Sequence, residues 1–120
     1  MSYKNALNKG NELVIATSYK NNPHLIVAIS LGLDLDNGNL LFGICQSKST
    51  LRNLKLNKNI CVYAKYKKEY YRITGKAILD SNKEALAKAN ELGKGPKTKC
   101  LVSIKILDVF DLDNLTKIKI

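Results

Sequence analysis

The chain has no tryptophan, one histidine, one methionine and two prolines among its 120 residues. A lone His24 excludes a multi-histidine metal centre, and any Ser–His–Asp or Cys–His catalytic arrangement must use that residue. The three cysteines, Cys45, Cys61 and Cys100, are odd in number and widely spaced. Without a Cys-x-x-Cys pair they support neither a zinc site nor a disulfide framework, so no metal is expected. Each lies in an apolar stretch and reads as a buried reduced thiol. No apolar run approaches the roughly 20 residues of a membrane-crossing helix. Met1–Asn5 lacks the apolar core of a secretory signal. The expectation is a soluble, cytoplasmic protein with no membrane partner. Acidic residues are also few: 10 Asp and Glu against 20 Lys and Arg, a net charge of +10. That balance favours anionic partners without choosing among them. Only Arg52 and Arg72 are arginine, the usual reader of bases and phosphates. A lysine-rich surface of this kind equally serves solubility alone.

What is present is ordinary for one globular domain: 45% hydrophobic and 25% charged residues, too short for two cores and too apolar for disorder. No repeat, linker or low-complexity tract interrupts it. The first ten residues read as a short helix capped by Ser2, with Ala6 and Leu7 inward and Gly10 at its end. Strands are expected over Glu12–Tyr19, His24–Leu31, Asn39–Ile44, Ile60–Tyr66, Tyr70–Leu79 and Lys99–Val109. The apolar run Leu13–Ala16 suggests burial on both faces. Lys20–Pro23 and Lys67–Glu69 read as turns, and Asn37-Gly38 as a two-residue hairpin signal. A short helix follows from Thr50 to Leu56, capped by Ser47, Ser49 or Thr50. A second runs from Asn82 to Leu92, opened by Ser81-Asn82-Lys83-Glu84 as a capping box, ended by Gly93 and kept from resuming by Gly95-Pro96. Asp111–Ile120 alternates Lys and Ile as a further edge strand would. Six strands joined mainly by hairpins predict a mainly β chain with short helices: a small antiparallel barrel with the helices outside it.

The segment richest in chemistry is Leu40–Leu54, a strand, a polar loop and a helix start. A helix start presents unpaired N–H groups and the positive end of the macrodipole. Ser47, Ser49 and Thr50 add hydroxyls, and Lys48 and Arg52 add charge, as a phosphate or another anion requires. The same residues also suit an ordinary N-cap with lysines in solvent. Gly43-Ile44-Cys45-Gln46-Ser47-Lys48-Ser49 is not a P-loop, since the glycine before the lysine is missing and the loop is a residue short. A helix-turn-helix fails for want of a second periodic helix. Asp34–Gly38 lacks the later acids of a calcium loop.

Several segments together resemble one family. They are Leu13-Val14-Ile15-Ala16-Thr17, Pro23-His24-Leu25-Ile26-Val27, Asn39-Leu40-Leu41-Phe42, Ser47–Asn57, Ile60-Cys61-Val62-Tyr63 and Tyr71-Arg72-Ile73-Thr74-Gly75-Lys76-Ala77. In this order, over roughly Glu12 to Phe110, the chain resembles the FMN-binding split-barrel proteins of the pyridoxamine-phosphate-oxidase-like superfamily. Its short single-domain members look closest.

The resemblance implies a six-stranded antiparallel split β-barrel, a homodimer, and flavin mononucleotide (FMN) at the dimer interface. It assigns the phosphate to Lys48, Ser49 and Thr50, with Ser47 and Asn53 close by. It assigns the ring system to Val27, Ala28, Ile29, Ser30 and Gln46. The implied activity is hydride or electron transfer with an unnamed substrate or redox partner. Binding without turnover, as in a cofactor sensor or store, is equally compatible with this fold. The family's Arg-Lys pair is not reproduced in the loop, and the Trp-Arg-Leu type ending of true pyridoxamine-phosphate oxidases is missing, so vitamin B6 oxidation is not expected. His24 carries either a structural or an acid–base role, and Tyr70, Tyr71 and Arg72 either pack the sheet and its surface or reach the flavin of the partner subunit. The alternative reading is a basic nucleic-acid-binding barrel without cofactor. It would use Lys65, Lys67 and Lys68 beside Tyr63, Tyr66, Tyr70 and Tyr71, because aromatic rings next to lysines stack bases.

Overall fold

The computed structural model describes residues 2–93 and 97–120; the expectation for Gly95-Pro96 lies outside the described residues. A 3-10 turn, Tyr3–Leu7, opens the chain, with Ser2 accepting a hydrogen bond from the Lys4 N–H. It buries Ala6 and Leu7 but ends at Asn8, before Gly10. β1 (Glu12–Tyr19) and β2 (Asn22–Ile29) form a hairpin over Lys20 and Asn21 alone. Both turn residues have positive φ (49° and 62°), the twist-matched geometry of a two-residue loop. β2 therefore begins before the expected His24 and includes Pro23, which an edge strand tolerates because its outer side carries no ladder bonds.

β3 (Gly32–Leu33), a two-residue strand not foreseen from the sequence, pairs with β4 (Leu40–Ile44). The connection is longer than the Asn37-Gly38 signal implied. Only Gly38 has positive φ there, and the loop is closed by Asp34 N–H to Asn39 O and Gly38 N–H to Asp34 O. α1 (Lys48–Leu56) follows, then β5 (Asn59–Tyr66), β6 (Glu69–Asp80), α2 (Lys83–Leu92), β7 (Cys100–Asp111) and β8 (Thr116–Ile118). Asn82, not Ser81, caps α2, accepting from the Ala85 N–H at 2.8 Å.

The strands form one antiparallel sheet in the order β2-β1-β5-β6-β7-β4-β3, with β8 added beside β7. The six expected strands are all present, and β3 and β8 make eight. The sheet curls until the chain leaving β2 meets β4, where the Leu31 N–H donates to Leu41 O at 2.8 Å. Leu13, Ile15, Phe42, Leu54, Val62, Ile73, Val102 and Ile104 fill the interior. α2 lies outside, its Ala85 and Ala89 against Leu41 and Leu101. The expected two-faced burial of Leu13–Ala16 is corrected: Leu13, Ile15 and Thr17 are buried, whereas Val14 and Ala16 are half-exposed on the outer face. An antiparallel strand with one wet face needs only alternate residues inside.

Tyr71 carries a pH signature. It is buried on β6 and donates to Glu69 Oε1 at 3.0 Å. Burial first, and then the Glu69 carboxylate, push its hydroxyl up to about 12. A group that ionises less readily folded than unfolded contributes stability below its unfolded value near 10, and loses it as pH rises through the folded value. Urea midpoints of the wild type are therefore expected to fall between pH 10 and about 12, and those of Tyr71→Phe to fall less over the same window.

Candidate functional site

β2 lies at one edge of the sheet, and the chain leaving it reaches β4 through the Leu31 N–H. A cleft of about 500 Å³ is lined by residues of both strands. Ile26–Ile29 of β2, the run from Gly43 to Ser47, and Leu31, Gly93 and Thr98 line it. The lining is mostly apolar with a few polar groups, and the volume suits a small molecule or cofactor. β2 is an edge strand, and edge strands carry unpaired N–H and C=O groups, so that side of the cleft offers backbone contacts as well as side chains.

The run from Gly43 to Ser47 leads into the start of α1. Ser47 is the cap: its Oγ accepts from the Thr50 N–H at 3.3 Å and donates to Thr50 Oγ1 at 2.8 Å. Lys48 and Ser49 supply the next N–H groups, and neither these nor their side chains have a hydrogen-bond partner among the described residues. Lys48 is exposed and Ser49 half-buried. The first turn holds no acidic residue, so nothing offsets the positive end of the helix. The helix start thus presents two N–H groups, a hydroxyl and an ammonium.

The ten sequence-expected residues divide by role. Val27, Ala28, Ile29, Gln46 and Ser47 line the cleft, and Lys48 and Ser49 follow Ser47 as the first residues of α1, outside the lining. The other three lie beneath. Thr50 is fully buried. Asn53, also buried, donates from Nδ2 to Thr17 Oγ1 at 3.1 Å and ties α1 to β1. Ser30 donates to Leu7 O at 2.7 Å and fastens the 3-10 turn to the end of β2. Gly43, Leu31, Gly93 and Thr98 line the cleft without having been foreseen. Of these only Gly43 left a signal, because a glycine inside a strand marks close approach by another group.

His24 shares the inner face with Thr17, its cross-strand partner, and its Nε2 is buried without a hydrogen-bond partner among the described residues. Arg72 projects outward over the Phe110 ring at 4.8 Å. Tyr63 and Tyr70 stack at 6.3 Å, with Lys65 over Tyr70. None of these lines the cleft. Cys100 is buried as expected, but Cys45 and Cys61 are half-exposed, and burial raises the Cys61 thiol above its ordinary range. Among the described residues no cluster of His, Cys, Asp and Glu could hold a metal, and no helix is long and apolar enough to cross a membrane.

The sequence matches no protein-family model and no curated protein. Solved structures do match. HupZ of Group A Streptococcus superposes with a TM-score of 0.78 at 18% identity, over 90% of each chain. A pyridoxamine 5'-phosphate oxidase-related, FMN-binding protein of Nostoc punctiforme gives 0.67 at 14%, over 85% of this chain and 75% of that one. This chain has the split-barrel fold of these structures. An F420 reductase shares it, with a TM-score of 0.71 at 13% identity over 91% of this chain and 96% of its own. At these identities the likeness concerns the fold.

Proposed function

We propose that the chain is a flavin-nucleotide-binding protein that holds FMN in the β2–β4 cleft and works as a homodimer. The observation that carries this reading is the continuity of an apolar cleft of cofactor size with an unneutralised helix start. One end suits a flat ring system and the other a phosphate. Lys48, the Lys48 and Ser49 N–H groups and the Ser49 hydroxyl would hold the phosphate. Ser47, Thr50 and Asn53 would keep that turn in place from beneath. Val27–Ile29 and Gln46 would lie along the ring. FMN supplies hydride or single-electron transfer when bound; the chain's own residues orient it, exclude water from one ring face and neutralise the phosphate. Fold neighbours named for FMN binding and for F420 reduction support a flavin-type cofactor. The test is a fluorescence titration of FMN and riboflavin. Saturable quenching at one flavin per protomer, tighter for FMN, supports the reading. No quenching with either removes it.

The outer face of β2 supports the dimer. Leu25, Val27 and Ile29 alternate there at 64%, 63% and 51% exposure, beside Ala16 and Val14 in register on β1. So contiguous an apolar strip on an edge strand is an interaction surface. Val27→Lys is expected to turn a dimer into a monomer in sedimentation equilibrium, and to weaken flavin binding at the same time, because Val27 belongs to both surfaces. The stacked Tyr63–Tyr70 pair with Lys65 favours a second reading, stacking of single-stranded nucleic acid. Salt-sensitive binding of an oligonucleotide, with no affinity for flavin, would select it.

A further inference from the structure

Apart from Gln46 and Ser47 the cleft lining carries one hydroxyl side chain, Thr98, held in place from three sides. Its backbone N–H donates to Asn90 Oδ1 of α2 at 2.8 Å. The next N–H, of Lys99, donates to Ile44 O of β4 at 2.8 Å. Its side chain rests on the bare Cα of Gly43: a Cβ there would stand 2.6 Å from Thr98 Oγ1 and 2.9 Å from its Cγ2. Gly43 has no positive φ, so its backbone does not call for glycine; the space taken by Thr98 does. Thr98 Oγ1 has no hydrogen-bond partner among the described residues and lines the cleft with Gly43, Leu31 and Gly93. A hydroxyl on a residue whose backbone is fixed and whose side chain is packed, lining an apolar cleft and left unpaired, is pre-organised for a ligand.

We propose that Thr98 is a ring-reading residue of the cofactor site, its hydroxyl hydrogen-bonding a polar atom of the flavin outside the phosphate. Asn90 and Gly43 act through it as positioning residues. The inference rests on the flavin reading above and assigns a contact beside Gly43 of β4, distinct from the helix start of Lys48 and Ser49.

The test compares FMN and riboflavin affinities, by fluorescence quenching, for the wild type, Thr98→Val, Thr98→Ser, Asn90→Ala and Asn90→Asp. Valine keeps the packing on Gly43 and removes one neutral hydrogen bond. Thr98→Val is expected to weaken both flavins by an equal factor, about five- to tenfold, with an unchanged urea midpoint. Thr98→Ser, which keeps the hydroxyl, should stay within about twofold of wild type. Asn90→Ala should weaken both flavins, and Asn90→Asp, which keeps the acceptor, should restore them. If wild type binds flavin and Thr98→Val binds both flavins as tightly, the proposal is wrong while the flavin reading stands. A loss confined to FMN would place Thr98 at the phosphate and also overturn it. If the wild type binds neither flavin, the flavin reading itself fails and this proposal goes with it.

Discussion

Lys48→Glu is expected to lower FMN affinity about 100-fold while leaving riboflavin affinity within about twofold. The phosphate would meet Lys48 at the start of α1, where the Lys48 and Ser49 N–H groups are unpaired and no acid stands in the first turn. A charge-assisted hydrogen bond contributes about 1.5–3 kcal/mol, and reversing the charge adds repulsion to its loss. At about 1.4 kcal/mol per tenfold, the upper half of that range corresponds to two decades. Riboflavin lacks the phosphate and is blind to the change. Fluorescence titrations of both ligands at about 0.1 M salt, with urea midpoints to show that the exposed Lys48 is dispensable for folding, check the split. Equal losses for both flavins would move the phosphate elsewhere.

Gly75→Ala should be the most damaging single methyl group in the chain. Gly75 lies on β6 at the irregularity where Thr74 pairs with Asp108 and Gly75 with Ile106, leaving Leu107 as the extra residue of β7. A Cβ at position 75 would stand 2.1 Å from Lys105 O and 3.0 Å from Ile104 Cγ2. The first obstacle is backbone, so no rotamer change relieves it. β6 and β7 must separate, and their pairing extends from Tyr71 to Asp80 through the centre of the sheet. Overpacking typically costs 1–3 kcal/mol, and more where backbone must move. A loss of about 3 kcal/mol or more is expected, against a typical domain stability of about 5–15 kcal/mol. Urea denaturation followed by circular dichroism reads it directly. A midpoint equal to wild type would contradict the bulge geometry.

Much of this fold was legible because local rules agreed with one another. Glu12–Tyr19 reads as a strand and is one, residue for residue. Ser47 was among the expected caps and is the cap, and α1 starts two residues earlier than its apolar spacing suggested because a cap, not a leucine, sets a helix start. The tail's Lys–Ile alternation became β8. The failures share a cause, that the deciding group lies far away in sequence. Asn37-Gly38 is a sound turn signal locally, but β3 and β4 pair so as to leave a longer loop between them. Leu13–Ala16 reads as doubly buried because Val14 and Ala16 are apolar, yet they look outward beside Val27 and Leu25. Within the site, the loop from Gln46 to Ser49 was readable because a helix start carries its own chemistry. Thr98 was not, since its place depends on Asn90 of α2 and on Gly43 across the cleft. Thr50 and Asn53 carry polar groups that suit a ligand, and only the fold reveals that Ser47 and Thr17 already use them.

The position of the ligand is the centre of this account, and amide chemical shifts of the isotope-labelled protein titrated with FMN report it residue by residue. The expected result is saturable change at Val27–Ile29, Gly43–Ser49 and Thr98, with Lys48 and Ser49 moving far less when riboflavin replaces FMN. Changes centred instead on the hairpin from Tyr63 to Tyr70, or no change at saturating flavin, would contradict it.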